Sequence, residues 1–245
     1  MTDAALAGNH AFEDAETLAH HVAEWLCDLA RAADRIFAVS LSGGSTPRRL
    51  YELLATPVIA SRFPWGRAHW FWGDERFVPH NHPNSNYGMA RDAFLSRVHV
   101  PDDNIHAIPT EGLSPEQAAA AYEATLKRFY GADTLGPDRP LFDVTLLGIG
   151  ENGHTASLFP GQPALQERQR WVVAAVGAMP EPRITLTYPA LESSRDVAFL
   201  VTGAGKREVV ARAQTGDRTI PAGLVRPIGR LHWFTDRSAA AEGMQ

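Results

Sequence analysis

Cysteine is nearly missing from this chain: one residue, Cys27, in 245. With a single thiol no internal disulfide can form, which excludes a disulfide-framed secreted scaffold. Cys27 falls inside a helix-like apolar pattern and reads as a small buried hydrophobe. Long apolar runs are missing too, and no stretch approaches the ~18 residues that a membrane-spanning helix needs. Basic residues are absent from the start. Asp3, Glu13, Asp14, Glu16, Glu24 and Asp28 all precede the first arginine, Arg31. A secretory leader needs a basic start and an organellar leader needs arginines, so a cytoplasmic protein is expected. Lysine occurs only at Lys127 and Lys206.

What is present is an ordinary globular composition, 44% hydrophobic and 21% charged. The charge balance, 23 Lys+Arg against 28 Asp+Glu, is −5. It argues against nucleic acid or an anionic membrane as the partner, and any anionic ligand would need its own local positive charge. Apolar strands are expected at 36–41, 69–72, 105–108, 142–147, 197–201 and 231–235, with extended segments at 171–176 and 183–187. Helices are expected over 14–33, 48–54, 86–98, from the Ser114 capping box to Gly131, and after Lys206 to Gln214. Strands alternating with helices predict an α/β fold, a mostly parallel sheet with helices on both faces, as a single domain over 1–245. Ligands of such sheets sit beyond the carboxyl ends of the strands, which directs attention to the loops 42–47, 73–88, 148–161 and 203–206.

In the first loop, Gly43 and Gly44 allow positive φ and close backbone approach, and Ser45 and Thr46 add hydroxyl donors. Thr46 is expected to cap the following helix, with Pro47 at its first position. A helix start of this kind suits a phosphate, and Arg48 lies one residue beyond. Gly203-Ala-Gly-Lys206 repeats the arrangement after a later strand, with a lysine as point charge. Gly148-Ile-Gly-Glu-Asn-Gly153 has the form of a dinucleotide fingerprint, but Pro160-Gly161 interrupts any long helix, so a nicotinamide cofactor is not expected. His154 behind these glycines is placed to face a ligand as a general base. Asp74, Glu75 and Arg76 crowd another strand end. Asp74 could orient His154 or accept hydroxyls. His80 and His82 raise the question of a metal, but no carboxylate or cysteine completes a familiar set, so none is expected.

The chain resembles the 6-phosphogluconolactonase family at Ser42-Gly-Gly-Ser-Thr-Pro47, Trp72-Gly-Asp-Glu-Arg-Phe-Val-Pro79 with Ser85-Asn86-Tyr87, Leu147 through Gly161, Arg183-Ile-Thr-Leu-Thr187 and Gly203-Ala-Gly-Lys206. The resemblance implies a Rossmann-like domain without cofactor. It also implies hydrolysis of 6-phospho-D-glucono-1,5-lactone in the pentose phosphate pathway. It makes His154 the base, Arg76 a substrate or oxyanion contact, and Lys206 a phosphate ligand. Ser45, Thr46 and Arg48 join Lys206 as phosphate candidates; Asn152 and Gly153 join the substrate contacts, with the Gly153 N–H facing the oxyanion. The family often has Asp where Asn152 stands. The expected partner is the phosphorylated sugar lactone alone, with the chain a monomer or weak oligomer. Two alternatives are similar glucosamine-6-phosphate deaminases or isomerases, and a non-catalytic sugar-phosphate sensor. The deaminases continue after the histidine with a polar Asn-Glu stretch where this chain has Ser157-Leu-Phe-Pro160, and a sensor would need a basic patch or appended module.

Overall fold

The computed structural model describes residues 8–241; the two ends of the expected 1–245 domain lie outside the described residues. In chain order the elements are β1 (Gly8–Phe12), α1 (Ala15–Ala32), β2 (Phe37–Leu41), α2 (Ser45–Leu54), α3 (Pro57–Ala60), β3 (Ala68–Trp72), β4 (Asp74–Arg76), α4 (Asn86–Ala90), α5 (Pro115–Tyr130), β5 (Phe142–Leu147), β6 (Val172–Ala175), β7 (Arg183–Leu186), α6 (Tyr188–Glu192), β8 (Ser194–Val201), α7 (Arg207–Gln214) and β9 (Arg230–Asp236).

Local signals start and stop the long helices where expected. Asp14 caps α1, its Oδ1 accepting the Thr17 N–H at 2.8 Å. Leu18, Val22 and Leu26 then form a fully buried stripe, each such side chain contributing about 1.5–3 kcal/mol. Ser114 and Gln117 form the capping box of α5, and Gly131 ends it at φ 76°, a left-handed position that favours glycine.

Six strands form one sheet in the order β1-β9-β8-β5-β2-β3, and every neighbouring pair is parallel. β2 and β5 are buried along their whole length, as central strands covered on both faces must be. The edge strand β3 illustrates the two faces. Trp70 meets Phe94 on one side at 4.9 Å between ring centroids, and Phe71 meets Phe129 of α5 on the other at 4.8 Å.

Several expectations are corrected. The segment 105–108 is no strand; it touches β3 through one bridge, Ile105 to Trp70. The helix over 86–98 is a short α4 followed by a π turn at Arg91–Leu95. The residue capping α2 is Gly44, at φ 110°, not Thr46, and the helix begins at Ser45. The segments at 171–176 and 183–187 are extended, as expected. They form β6 and β7 of a second, antiparallel sheet ordered β4-β7-β6, which stands next to the first because only Gly73 separates β3 from β4.

Candidate active site

Strands β8, β5, β2 and β3 are consecutive in the sheet, so their carboxyl-end loops meet around one cleft of about 340 Å³. Its walls include Gly43 and Gly44 after β2, Asp74 and Arg76 of β4, His154 after β5 and Lys206 after β8. Four separate loops of the sequence reading thus converge. Arg48, Ser45, Thr46, Asn152 and Gly153 do not line the cleft. Arg48 is exposed and its Nε donates to Glu52, 3.2 Å away. Thr46 Oγ1 lies 2.8 Å from Thr202 Oγ1, a hydroxyl pair that ties the first glycine turn to the last across the end of β5.

The histidine loop is built around missing side chains. A Cβ on Gly150 would fall 2.1 Å from Nδ1 and Cε1 of His154, so the ring can lie where it does only over a glycine. Phe159 flanks the imidazole, with ring centroids 4.6 Å apart. His154 Nδ1 is 2.6 Å from Asn152 Oδ1. Burial is the main cause holding the imidazolium below the ordinary histidine range; Asp74 opposes it, while Lys206, Arg183 and Arg76 reinforce it. The result is a neutral imidazole near neutral pH, able to accept a proton. Gly153 has a scaffold role. Its φ is 82°, a Cβ there would meet Ile220 at 2.5 Å, and its N–H donates to the Gly150 carbonyl at 2.8 Å. That N–H is therefore not a free oxyanion donor. Ala156 of the same loop, which lines the cleft, holds φ 46° without being glycine, the kind of strain that clusters at functional sites.

The second sheet supplies the cations. Antiparallel pairing of β4 with β7 sets Arg76 directly opposite Arg183, and like charges in that position destabilise a sheet. Both line the cleft, and the Nε of each is buried without a hydrogen-bond partner among the described residues. Arg183 is only 8% exposed; burial, then the Arg76 charge, pull its pKa below the usual arginine range. Arg76 Nη1 donates to the Asn84 carbonyl at 2.6 Å, which aims the guanidinium. A buried unpaired donor costs about 1–3 kcal/mol, more when charged, a cost that an anion bound between the two would recover. Lys206 adds to the field. Lys127 is paired with Glu123 at 2.8 Å, whereas Lys206 forms no ion pair among the described residues.

The two carboxylates separate cleanly. Asp74 faces the cleft, accepting from Ser157 Oγ at 2.7 Å; it acts on His154 through its charge and not through a hydrogen bond. Glu75 is a scaffold. Its carboxylate accepts from the N–H groups of Arg76, Asn86 and Tyr87 and from Ser85 Oγ, fixing the start of α4; burial pushes its pKa up against those bonds. One product is Asn86, a cleft residue the sequence reading left out of its site. Its Nδ2 donates to the Asp74 carbonyl at 2.9 Å, and a Cβ on Gly43 would overlap its side chain, which gives Gly43 its steric reason. Arg183 was also left out. Its signal was its place in a matched motif, but no local pattern places it opposite Arg76. His80 and His82 lie away from the cleft. His80 Nε2 is 2.8 Å from the Ile108 carbonyl and His82 Nδ1 accepts from the Asn84 N–H. Among the described residues no group of three or more His, Cys, Asp or Glu could hold a metal ion, and no helix is long and apolar enough to cross a membrane.

A parallel α/β sheet with a histidine, two arginines with unpartnered Nε atoms and a lysine at its carboxyl edge forms a cleft suited to a small anionic ligand. The chain belongs to the glucosamine-6-phosphate isomerases/6-phosphogluconolactonase family, whose model matches residues 13–233. It is 44% identical over 209 residues to the 6-phosphogluconolactonase of Nostoc sp., covering 84% of each chain. The fold superposes on 6-phosphogluconolactonase from Trypanosoma brucei with a TM-score of 0.82 and 27% identity, over 96% of this chain and 97% of that one. A monomeric glucosamine-6-phosphate deaminase shares the fold at a TM-score of 0.77 and 19% identity, over 94% of this chain and 98% of that one.

Proposed function

We propose that this chain hydrolyses 6-phospho-D-glucono-1,5-lactone to 6-phosphogluconate, with His154 as the base. The observation that carries the reading is a neutral imidazole sharing a cleft with two arginines whose buried Nε donors have no partner. A water attacks the lactone carbonyl carbon and gives its proton to the imidazole. The carbonyl electrons move onto oxygen, where Arg76 and Arg183 offer donors to the tetrahedral oxyanion. As the carbonyl reforms, the ring C–O bond breaks, and the imidazolium returns the proton to the departing oxygen, which becomes the C5 hydroxyl. Lys206, with the turn at Gly43-Gly44, holds the 6-phosphate. Asp74 accepts a sugar hydroxyl and moderates the cationic field on His154.

The aldose–ketose proton shuttling of a deaminase wants a carboxylate or similar base in the stretch where this chain has Ser157-Leu-Phe-Pro160, which carries none. The same reading makes the chain a cytoplasmic enzyme that acts as a monomer or weak oligomer. The test is a coupled assay with freshly made lactone beside glucosamine-6-phosphate. Hydrolysis well above the spontaneous rate, without ammonia release from the amino sugar, is the expected result. Ammonia release with no lactone hydrolysis would overturn it.

A further inference from the structure

The geometry assigns to Asn152 the role of positioning residue for the base: it fixes His154 as the Nδ1–H tautomer, so that Nε2 is the proton acceptor. This rests on the reading of His154 as the base, and it reassigns Asn152 from substrate contact to support.

The argument turns on one oxygen. Asn152 Oδ1 lies 3.2 Å from the backbone nitrogen of His154 and 2.6 Å from its Nδ1. A backbone N–H can only donate, so the amide atom facing it is the oxygen and not the NH₂ group. The same oxygen can only accept from Nδ1, so Nδ1 carries the proton and Nε2 carries the lone pair. A half-turn of the ring would put carbon at Nδ1 and lose the bond. The ring's place over Gly150 also depends on that residue having no side chain, since a Cβ there would lie 3.0 Å from Asn152 Oδ1 as well as 2.1 Å from the ring. Phe159 closes its flank.

Asn152 does this without charge. The charges acting on His154 are Asp74 and Arg76 from β4, Arg183 from β7, and Lys206 after β8, and three of the four disfavour the imidazolium. No anion on Nδ1 answers them. A carboxylate at position 152 would supply the same acceptor and add that anion in hydrogen-bond contact, which raises a histidine pKa by about 1–3 units in buried settings and less where water reaches it. The amide therefore keeps the base unprotonated to lower pH than a carboxylate would.

Two variants and one spectrum test this. Asn152→Asp keeps the shape and should move the acid limb of kcat/KM upward by about half a unit or more. Asn152→Ala should lower kcat about tenfold with a smaller change in KM, the size expected for one lost orienting hydrogen bond. Nitrogen NMR of the labelled wild type, above the histidine titration range, should show a protonated Nδ1 and a bare Nε2 for the resonance that vanishes in His154→Gln. In Asn152→Ala that preference should be lost. A protonated Nε2 in the wild type would overturn the assignment. So would an Asn152→Ala protein that keeps both the Nδ1–H signal and full kcat, or an acid limb indifferent to Asn152→Asp. The spectrum does not depend on turnover. A wild type inert toward the lactone that still has an Asn152-dependent Nδ1–H would sink the lactonase reading and leave the tautomer assignment standing.

Discussion

At the amino edge of the six-stranded sheet, Asp143 receives both Arg35 and Arg195, and Asp196 receives Arg230 at 2.7 and 2.8 Å and His232 at 2.7 Å. At the carboxyl edge, Arg76 and Arg183 face each other and their Nε atoms have no partner among the described residues. The amino-edge hollow is the larger, about 510 Å³ against about 340 Å³. Size and number of charges therefore do not distinguish the two edges. Pairing does: a cluster whose arginines all meet a carboxylate holds strand starts together, whereas one with unpartnered donors keeps that interaction available for a ligand. A third hollow of about 700 Å³ beside α7 holds Arg207 and Glu208, with the Arg207 guanidinium already donating to the carbonyls of Arg237 and Ser238.

The largest expected effect lies at the base. His154→Ala should lose at least ~10²-fold in kcat, about 2.7 kcal/mol, with KM little changed. Retention of most of the kcat, after subtraction of spontaneous hydrolysis, would move the base elsewhere.

Next comes a paired substitution that addresses the comparison itself. Arg183→Met removes a charge-assisted contact of about 1.5–3 kcal/mol and should lower kcat/KM tenfold or more. Thermal stability should hold or rise, because the repulsion with Arg76 is relieved. Arg195→Met should leave kcat/KM unchanged and cost at most ~1 kcal/mol of stability, since Arg195 is 53% exposed and surface pairs are weak. Measured activity and melting temperature that fail to cross over in this way would erase the distinction between the edges.

Lys206→Ala should raise KM for the phosphorylated lactone by an amount equivalent to about 1.5–3 kcal/mol, and leave unphosphorylated gluconolactone indifferent. Equal losses on both would show that Lys206 does not read the phosphate.

The smallest effect concerns stability outside both hollows. His69 Nδ1 and His106 Nε2 are 2.9 Å apart. Burial, then the neighbouring His69, pushes His106 down to about 4, with Asp103 opposing; burial also lowers His69. An unfolded histidine takes its proton near 6.5. Between those values the unfolded chain binds more protons, so stability falls as pH falls from about 6.5 toward 4. The urea midpoint of His106→Gln should decline less over that window than the wild type's; parallel declines would remove the pair from the account.

The sequence by itself determined the elements whose causes are local. Helical spacing and the Asp14 cap define α1, the Ser114–Gln117 box and Gly131 bound α5, and short, mostly apolar runs mark β2 and β5 as strands. It also singled out the glycine-flanked residues His154 and Lys206, because a turn after a strand is a local event. β4 escaped it, since Asp-Glu-Arg has no apolar period and becomes a strand only by pairing with β7, more than a hundred residues away. Arg183 escaped for the same reason: the role proposed for it depends on lying opposite Arg76, and strand register is set by the partner strand and the core. The tertiary structure alone decided that Asp74 is bonded to Ser157 and not to His154, that Glu75 is a scaffold, and that the Gly153 N–H is occupied. Each depends on which groups meet across the loops, and hydrogen-bond partners are decided by distances of a few tenths of an ångström that residue order does not encode.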